Sequence, residues 1–179
     1  MTTLSKKVLE KYKNSVFVET GTLWGESVQL ALDCGFTKVY TIELDPEKVK
    51  FNRNKFKEEI ENGVVEIIEG DTFKVFSDVI NNITSRATFW LDAHWDEGPV
   101  GEYKCPLPFE LKNLLNHSIK NHTLLIDDRR IFGEVGSTWG EGIDESEIID
   151  LIHEINPEYE ISYEDGCIPN DIIVAEIKE

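Results

Sequence analysis

The sequence predicts a three-layer α/β sandwich: a seven-stranded, mostly parallel sheet with helices on both faces and the last strand antiparallel. Three observations predict it. Short apolar runs alternate with helical patterns along the whole chain, the order that a mostly parallel sheet requires. The first run, Val16-Phe17-Val18-Glu19, passes into Thr20-Gly21-Thr22-Leu23-Trp24-Gly25-Glu26-Ser27, an apolar strand leading through a glycine-containing turn into a helix. The next, Lys38-Val39-Tyr40-Thr41-Ile42, ends at Glu43, an acid placed to hydrogen-bond the two hydroxyls of a ribose.

The elements follow in order. After an amphipathic start (Leu4, Val8, Leu9, Tyr12), strands are expected over 15–19, 37–43, 64–69, 87–91, 122–126, 158–163 and 170–177. Asp45 caps a helix that has Pro46 at its first position, and Gly35 and Gly63 close helical segments. Leu107, Leu111, Leu114 and Leu115 supply the apolar face of one late helix. Asp144 opens another, with Ile148, Ile149, Leu151 and Ile152 facing inward. Two loops stand out, Asp92 to Pro106 and the glycine-rich Asp127 to Gly142; both follow strand ends, on the face where such sheets bind ligands.

Composition narrows the function classes. A chain of 179 residues, 40% hydrophobic and 30% charged, suits a single domain over residues 1–179. With 35 acids against 18 bases the formal charge is -17, which argues against a nucleic-acid partner, because such binders concentrate Lys and Arg on one face. Cys34, Cys105 and Cys167 are widely spaced with no CxxC pattern, so neither a zinc site nor a disulfide framework is expected, and a reduced, cytoplasmic setting fits. There is no charged-then-apolar leader pattern and no apolar run of about 18 residues, so no membrane partner is expected.

The motifs narrow it further. The first loop reads Glu19-x-Gly21-x-x-x-Gly25-x-Ser27, and Leu23 stands where a dinucleotide-binding G-x-G-x-x-G loop would need glycine. Glu69-Gly70-Asp71-Thr72 follows the third strand. Phe89-Trp90-Leu91 leads to Asp92 and His94, and Leu124-Leu125-Ile126 leads to Asp127 and Asp128. Three carboxylates converging on one rim repel one another unless a cation neutralises them, and oxygen ligands in that number suit Mg²⁺.

In this order of motifs the chain resembles the class I S-adenosylmethionine-dependent methyltransferases over essentially its whole length, closest to the metal-dependent O-methyltransferases of the catechol and macrolide-sugar types. The resemblance implies a Rossmann-like fold and S-adenosylmethionine as cofactor. Its loop is implied to be formed by Glu19, Thr20, Gly21, Thr22, Gly25 and Ser27, with the serine near the methionine moiety. The ribose falls to Glu43 and the neighbouring Leu44, and the adenine to Asp71 and Thr72, with Asp92 also touching cofactor. It further implies Asp92, Asp127 and Asp128 as metal ligands, the paired aspartates being most like the sugar-modifying group.

Each position also has a plainer reading. Glu43 and Asp71 can cap the helices that follow them, and Asp127 and Asp128 can cap a turn while pairing with Arg129 and Arg130. His94 is the candidate general base on chemistry and position, since an imidazole takes a proton near neutrality. The catechol enzyme uses a lysine one residue further on, where this chain has Trp95. His117, His122 and His153 are expected to be packing or surface residues, and Trp24, Trp95, Phe132 and Trp139 to line the rim. A nucleophilic Cys105 lacks a base beside it.

The expected reaction is therefore methyl transfer to a hydroxyl of a small molecule or sugar, catalysed by Asp92 and His94. The rivals are a nicotinamide-dependent oxidoreductase and a cofactor-binding protein without turnover.

Overall fold

A computed structural model describes residues 2–93, 105–133 and 142–178. Among these, the strands β1 (Val16–Thr20), β2 (Lys38–Glu43), β3 (Val65–Glu69), β4 (Ala87–Leu91), β5 (Thr123–Ile126), β6 (Glu160–Glu164) and β7 (Ile172–Glu176) form one sheet. Its order is β3-β2-β1-β4-β5-β7-β6. All neighbours are parallel except β5 with β7 and β6 with β7, so the last strand alone runs against the rest. The strands expected from sequence are all present, with ends displaced by one or two residues.

β4 and β5 are buried at every position, as befits central strands covered from both sides. The alternation of side chains then sorts the core into two layers. Val18, Phe89, Leu91, Leu124, Ile126, Ile173 and Ala175 face one way, onto α5 (Thr72–Asn81), α6 (Leu107–Asn116) and α7 (Glu145–Ile155). Phe17, Val39, Trp90, Leu125, Ile172 and Val174 face the other way. There they meet α1 (Lys6–Lys11), α2 (Glu26–Asp33), α3 (Pro46–Lys55) and the short α4 (Lys57–Glu61).

Capping chemistry places the helix starts. Asp45 accepts the N–H of Glu47 at 2.8 Å with Pro46 at the first position of α3, Asp71 accepts that of Phe73 at 3.0 Å, and Asp144 that of Ser146 at 2.8 Å.

Register positions the site. Thr20 is aligned with Ile42 on one side and Leu91 on the other, and Leu91 with Ile126. The residues that follow these strands, Gly21, Glu43, Asp92 and Asp127, therefore emerge at one rim. Between β1 and β4 the strand order reverses, which is where sheets of this kind open a crevice for ligands.

Candidate functional site

The loop after β1 is held against the sheet from three directions. Gly21 and Thr22 donate their N–H groups to the carbonyl of Ile42 at 3.0 and 3.2 Å, and the Asn52 side chain donates to the carbonyl of Leu23 at 2.8 Å. Gly21 has φ +86°, and a Cβ there would meet the Asp92 carbonyl at 2.9 Å. At Gly25, φ +69°, it would lie 2.3 Å from Asn52 Oδ1 and 2.6 Å from the Phe56 ring. Only glycine combines that backbone with that proximity. The close approach at these two glycines is to the Asp92 backbone and to Asn52 and Phe56.

Glu19 is fully buried beneath this loop. It accepts from the Ser27 hydroxyl and, at 2.6 Å, from Thr41, whose oxygen lies 2.5 Å from that of Thr22. Burial pushes its carboxyl up to about 7, and the two hydroxyl bonds offset part of the push. Glu19 and Ser27 thus engage each other and support Thr22 from below. Glu43, also buried, accepts from Leu23 N–H through Oε2 at 2.7 Å and from Asp45 N–H through Oε1 at 2.8 Å. One bond per oxygen leaves a carboxylate capacity for further donors. Leu44 is half-buried beside it, Asp71 caps α5, and Thr72 is buried. Trp24 packs edge-on against Phe51 at 5.2 Å, and both remain about half exposed.

Asp92, Asp127 and Asp128 come together as the sequence predicts. One carboxylate oxygen from each can be chosen so that all lie within 4.8 Å of one another. Asp92 Oδ2 accepts from Trp90 Nε1 at 3.2 Å, and Asp127 Oδ2 accepts from the Thr3 hydroxyl. Asp127 Oδ1 is buried with no hydrogen-bond partner among the described residues. Asp128 takes a left-handed backbone, φ +61°, and pairs with the Arg130 guanidinium at 2.5 Å. Arg130 is fixed in turn by buried Asp171, which also accepts the backbone N–H of Arg130 at 3.0 Å. The pairing with Arg130 expected of the plain reading is therefore real for Asp128.

Electrostatics reflect this crowding. Burial, and then the charges of Asp127, Asp128 and Glu19, hold the Asp92 carboxyl well above the usual range. Asp127 is pushed to about 6, by burial first, with Asp128 and Asp171 adding and the Thr3 bond offsetting. A buried, unpartnered carboxylate oxygen facing two other carboxylates is costly by itself and is satisfied by a hard cation. The residues present fit Mg²⁺: all donors are oxygens, and the Arg130 pair leaves Asp128 the most compensated of the three.

Beside the cluster a small cleft is lined by Leu91, Leu107, Ile126, Ile131 and Phe132 together with Asp92, Asp127 and Asp128. It also contains Glu110, which sequence reasoning missed. Glu110 is 1% exposed, and its Oε1 and the neighbouring Thr20 hydroxyl have no hydrogen-bond partner among the described residues. Burial pushes Glu110 up to about 8, and Thr20 offsets only part of it. The signal was available: Glu110 sits on the same stripe as Leu107, Leu111 and Leu114, where a charge has no business unless it serves something. Cys105, at the mouth of the same cleft, has its thiol pushed to about 11 by burial, so it is a protonated thiol at neutral pH and no nucleophile.

Phe132 lines the cleft, whereas His94, Trp95 and Trp139 lie outside the described residues. Of the remaining histidines, His117 and His122 are buried against each other and His153 is 3.2 Å from the Tyr159 carbonyl, so all three pack away from the rim as expected.

No family model and no curated protein sequence matches the chain. Solved structures do match its fold. The O-methyltransferase from Bacillus cereus in complex with SAH aligns over 97% of this chain and 78% of its own, at 18% identity and a TM-score of 0.67. The SAH-bound methyltransferase of Podospora anserina aligns over 97% and 76%, at 14% identity and 0.64. The O-methyltransferase TomG from Streptomyces achromogenes, in complex with S-adenosylmethionine, aligns over 97% and 78%, at 12% identity and 0.61. Identities this low speak to architecture alone: the chain shares the Rossmann-like fold of these solved methyltransferases.

Proposed function

We propose that the chain transfers the methyl group of S-adenosylmethionine to a hydroxyl oxygen of a small molecule or sugar, assisted by Mg²⁺. The observation that carries this reading is a juxtaposition. The glycine loop packs on the Asp92 backbone, and Asp92 gathers with Asp127 and Asp128 beside a cleft, Asp127 keeping one buried oxygen without a hydrogen-bond partner among the described residues. That the fold neighbours include complexes with S-adenosylmethionine and SAH supports the choice of cofactor.

In this reading the turn that Gly21 and Gly25 let pack against Asp92 and α3 forms the cofactor loop, and Glu43 holds the ribose hydroxyls with the acceptor capacity its two backbone bonds leave. Leu44, Asp71 and Thr72 flank the adenine, and Asp92 touches both cofactor and metal. Asp92, Asp127 and Asp128 hold the cation. When bound, the cofactor supplies an activated methyl on sulfonium, and the cation lowers the pKa of the acceptor hydroxyl. The apolar walls of Leu91, Leu107, Ile126 and Phe132 exclude water and keep donor and acceptor in line. In this reading His94 would accept the proton that the acceptor hydroxyl releases on methylation.

The acidic surface favours a small acceptor over nucleic acid. All three cysteines are free, which suits a cytoplasmic setting, and no helix among the described residues is long and apolar enough to cross a membrane.

Calorimetric titration with S-adenosylmethionine and with NAD⁺, each with and without Mg²⁺, tests the assignment. Selective binding of S-adenosylmethionine is expected. Binding of NAD⁺ in its place, or of neither, would overturn it.

A further inference from the structure

Asp127 is reached from the opposite end of the chain. Thr3 donates its hydroxyl to Asp127 Oδ2 across 124 residues of sequence, leaving Oδ1 buried and without a hydrogen-bond partner among the described residues, in a side chain that lines the cleft. The segment that presents this hydroxyl is pinned on both sides. Thr2 N–H donates to Glu26 Oε2 at 2.6 Å, Leu4 N–H donates to the Thr2 hydroxyl at 3.2 Å, and Leu4 is buried with Val8 and Leu9 of α1. Ser5 then caps α1 by accepting Val8 N–H at 3.2 Å. A short polar segment so held has little freedom to point its hydroxyl elsewhere.

We infer that Thr3 is a positioning residue for the divalent cation, fixing the Asp127 carboxylate so that Oδ1 faces Asp92 and Asp128. The inference rests on the metal reading proposed above. The physical reason is that a carboxylate at the end of two rotatable bonds ligates well only when its other oxygen is held, and outer partners of this kind set both orientation and ligand basicity. A hydroxyl suits the place because it donates one bond to Oδ2 without adding charge to a site that must keep its own for the metal. Arg130 does the corresponding work for Asp128, and the Trp90 indole for Asp92. Each of the three carboxylates is thus oriented by a different kind of donor, from a different part of the chain.

The test uses Mn²⁺ alone as the probe, titrated into the full chain by calorimetry and followed by its electron paramagnetic resonance signal. T3V, which removes the hydroxyl and keeps the shape, is expected to weaken Mn²⁺ binding about 10–100-fold. T3S is expected to restore it, with the thermal midpoint and metal-free S-adenosylmethionine binding unchanged in both. In a D127N background T3V should change Mn²⁺ binding no further, because the two residues act through one ligand atom. Wild-type affinity in T3V would overturn the inference and leave the metal reading standing, as would a loss that T3S fails to restore and that follows a fall in thermal midpoint. A wild-type chain that binds no Mn²⁺ would overturn the metal reading, and the inference with it.

Discussion

The carboxylate of Glu43 accepts the backbone N–H of Leu23 at 2.7 Å, joining the end of β2 to the turn after β1. Leu23 has φ +49°, a left-handed backbone that a non-glycine residue adopts only when something holds it. Glu43 therefore shapes the loop, and in the proposed function the same group would also hold the ribose. A neutral amide has one acceptor oxygen and cannot serve both Leu23 and Asp45. Glu43→Gln should raise the Kd for S-adenosylmethionine about 10–100-fold, the loss of one hydrogen bond to a charged group at ~1.5–3 kcal/mol. Calorimetry measures this directly, and an unchanged Kd would remove Glu43 from the cofactor site.

Asp127→Asn keeps the shape of the side chain and its contact with Thr3 while removing the charge that the cation needs. Turnover stimulated by Mg²⁺ should disappear, and affinity for S-adenosylmethionine measured without metal should remain. The control is Asp128→Asn, which also removes one of the two carboxylates paired with Arg130 and so should lower thermal stability as well as metal dependence. Full Mg²⁺-dependent turnover in Asp127→Asn would sink the metal assignment.

Much of this was legible in the sequence because period and punctuation are local. The strand that begins at Ala87 reads as an unbroken apolar run because both faces of a central strand are covered, and Asp45-Pro46 and Asp71 announce helices through bonds made within two residues. The convergence of Asp92 with Asp127 and Asp128 followed from their places after adjacent strands. What was not legible depends on contacts between distant residues. Thr3 on Asp127 spans 124 positions, and no pattern near Thr3 hints at it. Ser27 is shown on Glu19, a pairing that the motif spacing alone does not reveal. Glu110 was open to detection on its apolar stripe, but the leucines around it satisfied the helical pattern and drew attention away from the one position that broke it.

The buried pair His117 and His122 sets an acid limit on stability. His122 Nδ1 accepts the backbone N–H of Ala87 at 3.1 Å, and its Nε2 lies 3.1 Å from His117 Nδ1. Burial, with the nearby His117, Arg86 and Lys120 charges adding, lowers His122 to about 3. The unfolded chain takes this proton near the ordinary value of ~6.5. Unfolded molecules thus bind more protons between these values, and the stability this group contributes is full above ~6.5 and lost as pH falls toward 3. The slope from one such group reaches about 1.4 kcal/mol per pH unit. Urea unfolding of wild type and His122→Gln at pH 7 and pH 5 isolates it: the wild type should lose more on acidification, and equal losses would refute the effect.

Glu110 works in the opposite direction. Its folded value of about 8 stands above the ordinary carboxyl value, because burial penalises the charge and Thr20 offsets only part of that penalty. The folded state therefore holds a proton that the unfolded state has released. The group's contribution is present at low pH and is lost as pH rises through about 8. Glu110→Gln cannot ionise and should be more stable than wild type at pH 8.5, with the difference shrinking toward pH 5. The same substitution should not raise activity, since a buried polar group that costs stability and lines the cleft is the kind of residue kept for binding. Thermal midpoints of the two proteins across that range decide it. A parallel pair of curves would mean that Glu110 is already satisfied in solution, by an internal water bridging it to Thr20, and carries no ionisation penalty.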